Sequence, residues 1–300
     1  MSTIETTGKQ TILVAGATGS IGGGAAIELA KRGARVVLLG RKRITLETKA
    51  DSIRNRLSES GIDCQNGDIT TLVVDFSDME SVKSAAMEAM DRFPEIHGLI
   101  LSAVVLVQNG PSILPSGHEM MFATNVMGPF LFTQQLVERM EQSDGLVLHV
   151  VSTFYKRIDW EDPESIRTHR TWTAYNRTKT YNRMVAAELA RRYAGKISSV
   201  AFNPTFIFDK SDPELEKRWP SSGLMGIFWR VMTALFSRPP VVAGVPIADL
   251  MLSCPDRNAI NGAMFKLRKR IEKPDRAMND EESGKKLWDA LVKKTGLMSG

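Results

Sequence analysis

VAGATGSIGGGAAIELAKR, Val14 to Arg32, decides how this chain is read. It follows a short apolar run, so that Thr11 to Ala15 predicts a buried strand. Gly16, Gly19 and Gly22 come next at three-residue spacing, and Ala25 to Lys31 is a helix-forming run. Strand, glycine-rich turn and helix, in that order, make a phosphate-binding unit. Glycine permits the tight turn and the close approach of a pyrophosphate. The helix start offers unpaired N–H groups and a partial positive charge. Gly16, Thr18, Gly19, Ser20, Ile21 and Gly22 are the candidate cofactor-binding residues of the turn. The plain alternative is an ordinary strand-to-helix turn.

Outward from this unit, Arg35 to Leu39 predicts a second strand, and Arg41, Lys42 and Arg43 follow it. An acidic residue at this strand end would bond the ribose 2′-hydroxyl of NAD. None lies between Gly33 and Leu46. The basic turn suits a 2′-phosphate instead, which argues for NADP(H), with Arg41 the first candidate because a guanidinium grips phosphate through two bonds. A solvent-facing basic turn is the competing reading.

Helix and strand signals then alternate. Helices are expected over Ile44 to Ser58, Glu80 to Phe93, Glu119 to Met140 and Trp172 to Tyr193. Strands are expected over Thr71 to Val74, His97 to Val105, Gly145 to Val151 and Ile197 to Phe202. This rhythm predicts an α/β fold, a Rossmann-like doubly wound parallel sheet with helices on both faces. Ligands of such sheets bind beyond the C-terminal strand ends. Gly16, Arg41, Asp75, Ala103 and Ser152 all fall at expected strand ends, on one edge. Lys156 to Arg170 breaks the rhythm as a polar loop. Beyond Pro204 it weakens. Ser221 to Phe236 is apolar and aromatic, either a lid over a greasy substrate, a membrane-surface contact or a core helix. Gly262 to Phe265 is a short final strand, and Glu281 to Lys294 a closing amphipathic helix.

The totals set bounds. The chain has 300 residues, 43% of them hydrophobic, with a net charge of +5, enough for one large α/β domain or two small ones. Lys266 to Arg270 reads as a solvated basic face, since nucleic-acid binding calls for a denser patch with aromatics. Cys64 and Cys254 form no metal-ligand pattern and suggest free thiols in a reducing compartment. MSTIETTGKQ lacks an apolar signal region, and no run is long enough for a membrane span, so a cytoplasmic protein is expected.

Tyr175 and Lys179 stand four apart on an expected helix, on one face. An ammonium beside a phenol favours phenolate, so the pair can exchange a proton with a carbonyl oxygen or an alcohol. Ser152 can hold the same oxygen, and Asn125 can position Lys179 directly or through water.

These residues resemble the short-chain dehydrogenase/reductase family, retinol-dehydrogenase-like group. The resemblance spans nearly the whole chain. It rests on DFSDMESV at Asp75, GHEMMFATNVMGPFLFT around Asn125, the Ser152 strand end, YNRTK at Tyr175 and KKLWDALVKKTGL near the C-terminus. The resemblance implies hydride transfer between nicotinamide and a carbonyl or alcohol by the tetrad Asn125, Ser152, Tyr175 and Lys179. Tyrosine is then the acid/base, and lysine lowers its pKa and binds the nicotinamide ribose. Asp75 contacts adenine, and Arg41 looks like an NADP(H) preference. Ser102, Ala103 and Pro204 complete the cofactor set, and a homo-dimer or homo-tetramer is expected. Residues 1–300 read as one NADP(H)-binding domain, with 205–240 over an apolar ketone, aldehyde or alcohol.

Three features depart from the family pattern. The turn runs G-x-x-G-x-x-G with Gly19-Ser20, as in the branch that includes sugar epimerases. Leu101-Ser102-Ala103-Val104 replaces Asn-Asn-Ala-Gly, and Pro204-Thr205 replaces Pro-Gly. They motivate two other readings: a non-catalytic NADP(H)-binding interaction protein, and a relative without net redox change such as an epimerase.

Overall fold

A computed structural model describes residues 8–65, 67–210, 231, 233, 235–273 and 276–297. Its elements follow from the apolar pattern. Strands β1 (Thr11–Ala15), β2 (Arg35–Gly40), β3 (Ile69–Val73), β4 (Gly98–Leu101), β5 (Leu146–Val150) and β6 (Ser198–Asn203) run parallel in the order β3-β2-β1-β4-β5-β6. Helices α1 (Ser20–Lys31), α2 (Arg43–Glu59), α3 (Met79–Arg92), α4 (Met120–Phe122), α5 (Gly128–Glu141) and α6 (Thr171–Arg192) make the crossovers. Beyond β6 come α7 (Val241–Leu252), α8 (Arg257–Ile260), β7 (Met264–Lys266), β8 (Lys269–Ile271), α9 (Arg276–Asn279) and α10 (Glu281–Thr295). This is the doubly wound parallel sheet that the strand–helix rhythm predicts.

Alternation along each strand divides the core in two. Ile12, Val14, Val36 and Leu38 face one cluster with α1, α2 and α7 side chains such as Leu29, Ile53 and Ile247. Leu13, Ala15, Val37 and Leu39 face the other, with Val82 of α3, Phe130 of α5, Tyr181 of α6 and Trp288 of α10. Both faces are covered, which is why the central strands read as unbroken apolar runs.

Strand order reverses between β1 and β4, and the two strands separate there. The fourth strand is therefore shorter than the expected His97 to Val105. The Ser102 N–H and its Oγ both donate to the Ala15 carbonyl, at 3.1 and 2.6 Å, and end the ladder. The expected helix over Glu119 to Met140 is also divided. The Glu119 carboxylate caps it by accepting from the Phe122 N–H at 2.9 Å. Ala123–Met127 then forms a π-helical turn, and α5 follows.

The C-terminal third holds what was not foreseen. The helix α7 contains Pro246 and is buried through Ala243, Ile247 and Met251. The expected final strand is displaced to β7, parallel to β6, and β8 adds an antiparallel edge. Its exposed Lys269 and Arg270 discourage further strand pairing. Of the apolar Ser221 to Phe236 segment, residues 221–230, 232 and 234 lie outside the described set. Among the described residues no helix is long and apolar enough to cross a membrane.

Candidate active site

The site is built at the C-terminal ends of β1, β4, β5 and β6, beside the strand-order reversal. Gly16 follows β1 with φ of 78°, a backbone conformation that glycine adopts without strain. A Cβ there would lie 2.6 Å from the Ala103 N, and a Cβ at Gly22 would lie 2.4 Å from the Gly16 carbonyl oxygen. The turn is thus folded directly onto the start of α1 and onto Ser102-Ala103. No side chain caps α1, and its first turn holds no acidic residue, so the N–H groups of Ser20, Ile21 and Gly22 face an anion-receptive end. Ser20 has a second partner: its Oγ accepts the Asp209 N–H at 2.9 Å and ties the turn to the segment after β6.

Arg41, Lys42 and Arg43 are exposed beyond β2 on the same sheet edge. Asp75, beyond β3, uses Oδ1 to accept from the Ser77 N–H at 2.9 Å and the Ser77 Oγ at 2.6 Å, a turn that leads into α3.

One helix brings the proton-transfer candidates to β5. Along α6, Tyr175 and Lys179 share a face, with the Lys179 ammonium 5.9 Å from the Tyr175 ring centroid. Lys179 Nζ donates to the Val150 carbonyl at 3.0 Å. Ser152 lies two residues beyond, where its Oγ accepts the Phe154 N–H at 3.3 Å. Burial pushes the Tyr175 phenol up to about 12 and the Lys179 ammonium down to about 8, where the nearby Arg183 charge adds to the burial. The lowering of Tyr175 expected from Lys179 is therefore outweighed. Desolvation of the phenolate is the larger effect in this pocket.

Of the two arrangements expected for Asn125, the direct bond to Lys179 is not among its contacts with the described residues. Its Oδ1 accepts the Val105 N–H at 2.8 Å, and its Nδ2 donates to the Val105 carbonyl at 3.0 Å and to Thr178 Oγ1 at 3.3 Å. It clamps the chain after β4 to the residue preceding Lys179, and the π turn is what places it there.

Pro204 is buried, and Thr205 takes φ of 65° where the family pattern has glycine. Its N–H donates to Asn203 Oδ1 at 3.0 Å, and Asn203 Nδ2 donates to Thr153 Oγ1 at 3.2 Å. These bonds hold the ends of β5 and β6 together.

Sequence reasoning passed over four side chains here. Arg183 is 1% exposed and donates to the carbonyls of Ser152 and Phe154. Thr180 Oγ1 accepts the Lys156 N–H at 3.2 Å and donates to its carbonyl at 3.0 Å. His149 and Asn182 stand with Asn125 in the wall of a small cavity behind the site, and burial lowers His149 to about 3, so it is neutral. For Arg183 the available signal was its spacing: it continues the Tyr175–Lys179 face by one more turn.

The loop over 156–170 forms turns and folds back onto α6. Arg177 donates to Ser165 Oγ at 2.8 Å and lies 3.9 Å from the Asp159 carboxylate. Around the site Val104, Phe154, Tyr155 and Trp172 are 49%, 68%, 41% and 45% exposed, an apolar rim. Trp172 meets the Tyr175 ring edge-on, with centroids 6.0 Å apart.

Comparison with known proteins agrees with this architecture. Residues 10–214 match the family described as short chain dehydrogenase. Mouse retinol dehydrogenase 14 is 28% identical over 297 residues, spanning 96% of this chain and 86% of that protein. Human retinol dehydrogenase 12 is 28% identical, spanning 95% and 86%. Among solved structures, a 3-ketoacyl-(acyl-carrier-protein) reductase from Brucella melitensis complexed with NADH aligns with a TM-score of 0.62 and 22% identity, covering 86% of this chain and 96% of that one. A short chain dehydrogenase from Shigella flexneri complexed with NADP aligns equally well, at 0.62 and 21%, covering 87% and 97%. At these identities the structures speak for the fold. With the profile match across two-thirds of its length and the retinol dehydrogenases as relatives, the chain belongs to the short-chain dehydrogenase/reductase family of oxidoreductases, in its retinol-dehydrogenase-like group.

Proposed function

We propose that this chain is an NADP(H)-dependent oxidoreductase that moves a hydride between nicotinamide and an apolar ketone, aldehyde or alcohol, with Tyr175 as acid/base. The observation that carries the reading is that Tyr175 and Lys179 share one face of α6 and that Lys179 bonds the Val150 carbonyl two residues before Ser152, while the uncapped α1 starts at the same C-terminal edge of the sheet. The residues fit the cofactor. Gly16, Thr18, Gly19, Ser20, Ile21 and Gly22 would hold the pyrophosphate. Ser102, Ala103 and Asp75 would hold the adenosine end, and Pro204 would pack at the nicotinamide end. Arg41, exposed at the end of β2, would take the 2′-phosphate, which favours NADP(H) over NAD(H).

When bound, nicotinamide supplies or accepts the hydride. Tyr175 keeps its proton at neutral pH because its pKa is about 12. That is the state needed to donate a proton to a carbonyl oxygen, which suits the direction of reduction. Ser152 Oγ donates to the same oxygen, and Lys179 stabilises charge developing on the phenol. A substrate-covering role for 205–240 falls largely on residues outside the described set, 211–230, 232 and 234; at its start, the Asp209–Ser20 bond ties the chain to the cofactor turn. The apolar rim of Phe154, Tyr155 and Trp172 supports an apolar substrate.

Titration with NADPH and NADH tests the cofactor. Tighter NADPH binding by about tenfold or more is expected from one charge-assisted contact, and Arg41→Ala should remove the preference. Equal affinities would overturn it. Tyr175→Phe should lower kcat by about 100-fold or more with NADPH affinity retained. Full turnover in that variant would overturn the mechanism.

A further inference from the structure

Arg183 is among the largest fully buried side chains, 1% exposed, on a helix face otherwise lined by Met184, Ala186 and Ala187. Burying a cation costs several kcal/mol, on the order of what a buried ion pair must recover. A methionine would fill the same space at less cost, so packing alone does not account for an arginine. What the guanidinium does is specific. It donates to the carbonyls of Ser152 and of Phe154, the latter at 3.4 Å. One turn earlier Lys179 holds the Val150 carbonyl at 3.0 Å, and Thr180 holds both backbone groups of Lys156. The helix therefore grips alternate residues, 150, 152, 154 and 156, from the end of β5 into the loop, and Arg183 supplies the middle two.

We propose that Arg183 is a positioning residue of this oxidoreductase site, fixing the backbone that carries Ser152 and holding a second positive charge one helical turn from Lys179. The inference rests on the function proposed above for Tyr175, Lys179 and Ser152. A forked, rigid donor suits two carbonyls two residues apart, which a single ammonium matches poorly. The charge acts on Lys179 across the i, i+4 spacing. Among the described residues, Tyr175 on its own helix and His149 on β5 also face Lys179, and both are neutral at pH 7. Arg183 is thus the positive neighbour that disfavours the Lys179 ammonium.

The test compares wild type, Arg183→Met and Arg183→Lys. Lysine-labelled protein is titrated by carbon NMR, with the Lys179 signal identified by its loss in Lys179→Arg. Turnover with NADPH is then measured. In Arg183→Met the Lys179 midpoint should rise by roughly one pH unit. Its kcat should fall about tenfold, with KM for NADPH changed less than about threefold. Arg183→Lys keeps the charge and loses the fork, so its Lys179 midpoint should stay near wild type while kcat still falls. If Arg183→Met does not fold, the kcat of Arg183→Lys decides: a value equal to wild type overturns the positioning role. A Lys179 midpoint unmoved in folded Arg183→Met overturns the electrostatic role. If wild type turns over no substrate with NADPH, the proposed function fails and the Ser152 role with it. The NMR titration reads the coupling to Lys179 independently.

Discussion

The Lys294 ammonium of the last helix lies 2.6 Å from Oε1 of Glu164, 130 residues earlier in the loop after β5. Glu164 also accepts from the Glu119 N–H at 2.9 Å and approaches His118 Nδ1 at 3.0 Å. These contacts with Lys294, Glu119 and His118 outweigh burial and hold its carboxyl below the usual range. One carboxylate therefore fastens the 156–170 loop to both α10 and the start of α4. Lys294→Met should cost about 1–3 kcal/mol, since it leaves a buried carboxylate short of its cation. Urea denaturation measures the loss, and limited proteolysis should cut first within 156–170. Wild-type resistance in that loop would show that its bonds to α6, from Arg177, Thr180 and Tyr181, hold it without Lys294.

Gly16→Ala tests the cradle. Its Cβ would sit 2.6 Å from the Ala103 N on a backbone with φ of 78°. Both the clash and the left-handed conformation oppose it, at about 1–3 kcal/mol of local distortion. NADPH affinity should fall at least tenfold by fluorescence titration, and thermal stability should fall with it.

Thr205→Gly should act the other way. A β-branched residue at φ of 65° carries about 1–2 kcal/mol of strain, and the Thr205 Oγ1 is buried without a hydrogen-bond partner among the described residues. Glycine relieves both and gives back about 0.5–1 kcal/mol through the freedom of the unfolded chain. A small net gain is expected, about 1 kcal/mol, read as a Tm higher by about 2 °C. A lower Tm would mean that the hydroxyl has a stabilising role here.

His149 should make the fold acid-sensitive. Burial, with the Lys179 charge beside it, lowers its pKa to about 3 against 6.5 when unfolded. The unfolded chain thus binds the proton more readily, and stability is lost as pH falls from 6.5 towards 3. Between pH 7.5 and 5.5 this group should contribute a loss of about 1.4 kcal/mol. Denaturation of wild type and His149→Leu at both pH values measures it. The variant should show a smaller difference by that amount.

Much of this arrangement was legible along the chain. Six strands read as apolar runs, because strands buried on both faces leave that mark locally. Gly16 and Gly22 mark the tight turn after β1 through their spacing and context, and helical periodicity put Tyr175 and Lys179 on one face of α6. The basic turn after β2 was legible as residues, while its exposure is shown by the fold. The roles of Asn125, Arg183 and Glu164 were not legible. Their partners are the carbonyls of Val105, Ser152 and Phe154 and the distant Lys294, brought near only by folding. The helix α7 was hidden by Pro246 and by packing on α1, where a Cβ on Gly244 would be 2.4 Å from the Gly24 carbonyl oxygen. The ionisation of Tyr175 was legible only in part: the sequence by itself determined that a lysine stands one turn away. Only the tertiary structure decided that burial outweighs it, because desolvation is set by everything packed around a group, whereas helical spacing is set by the chain alone.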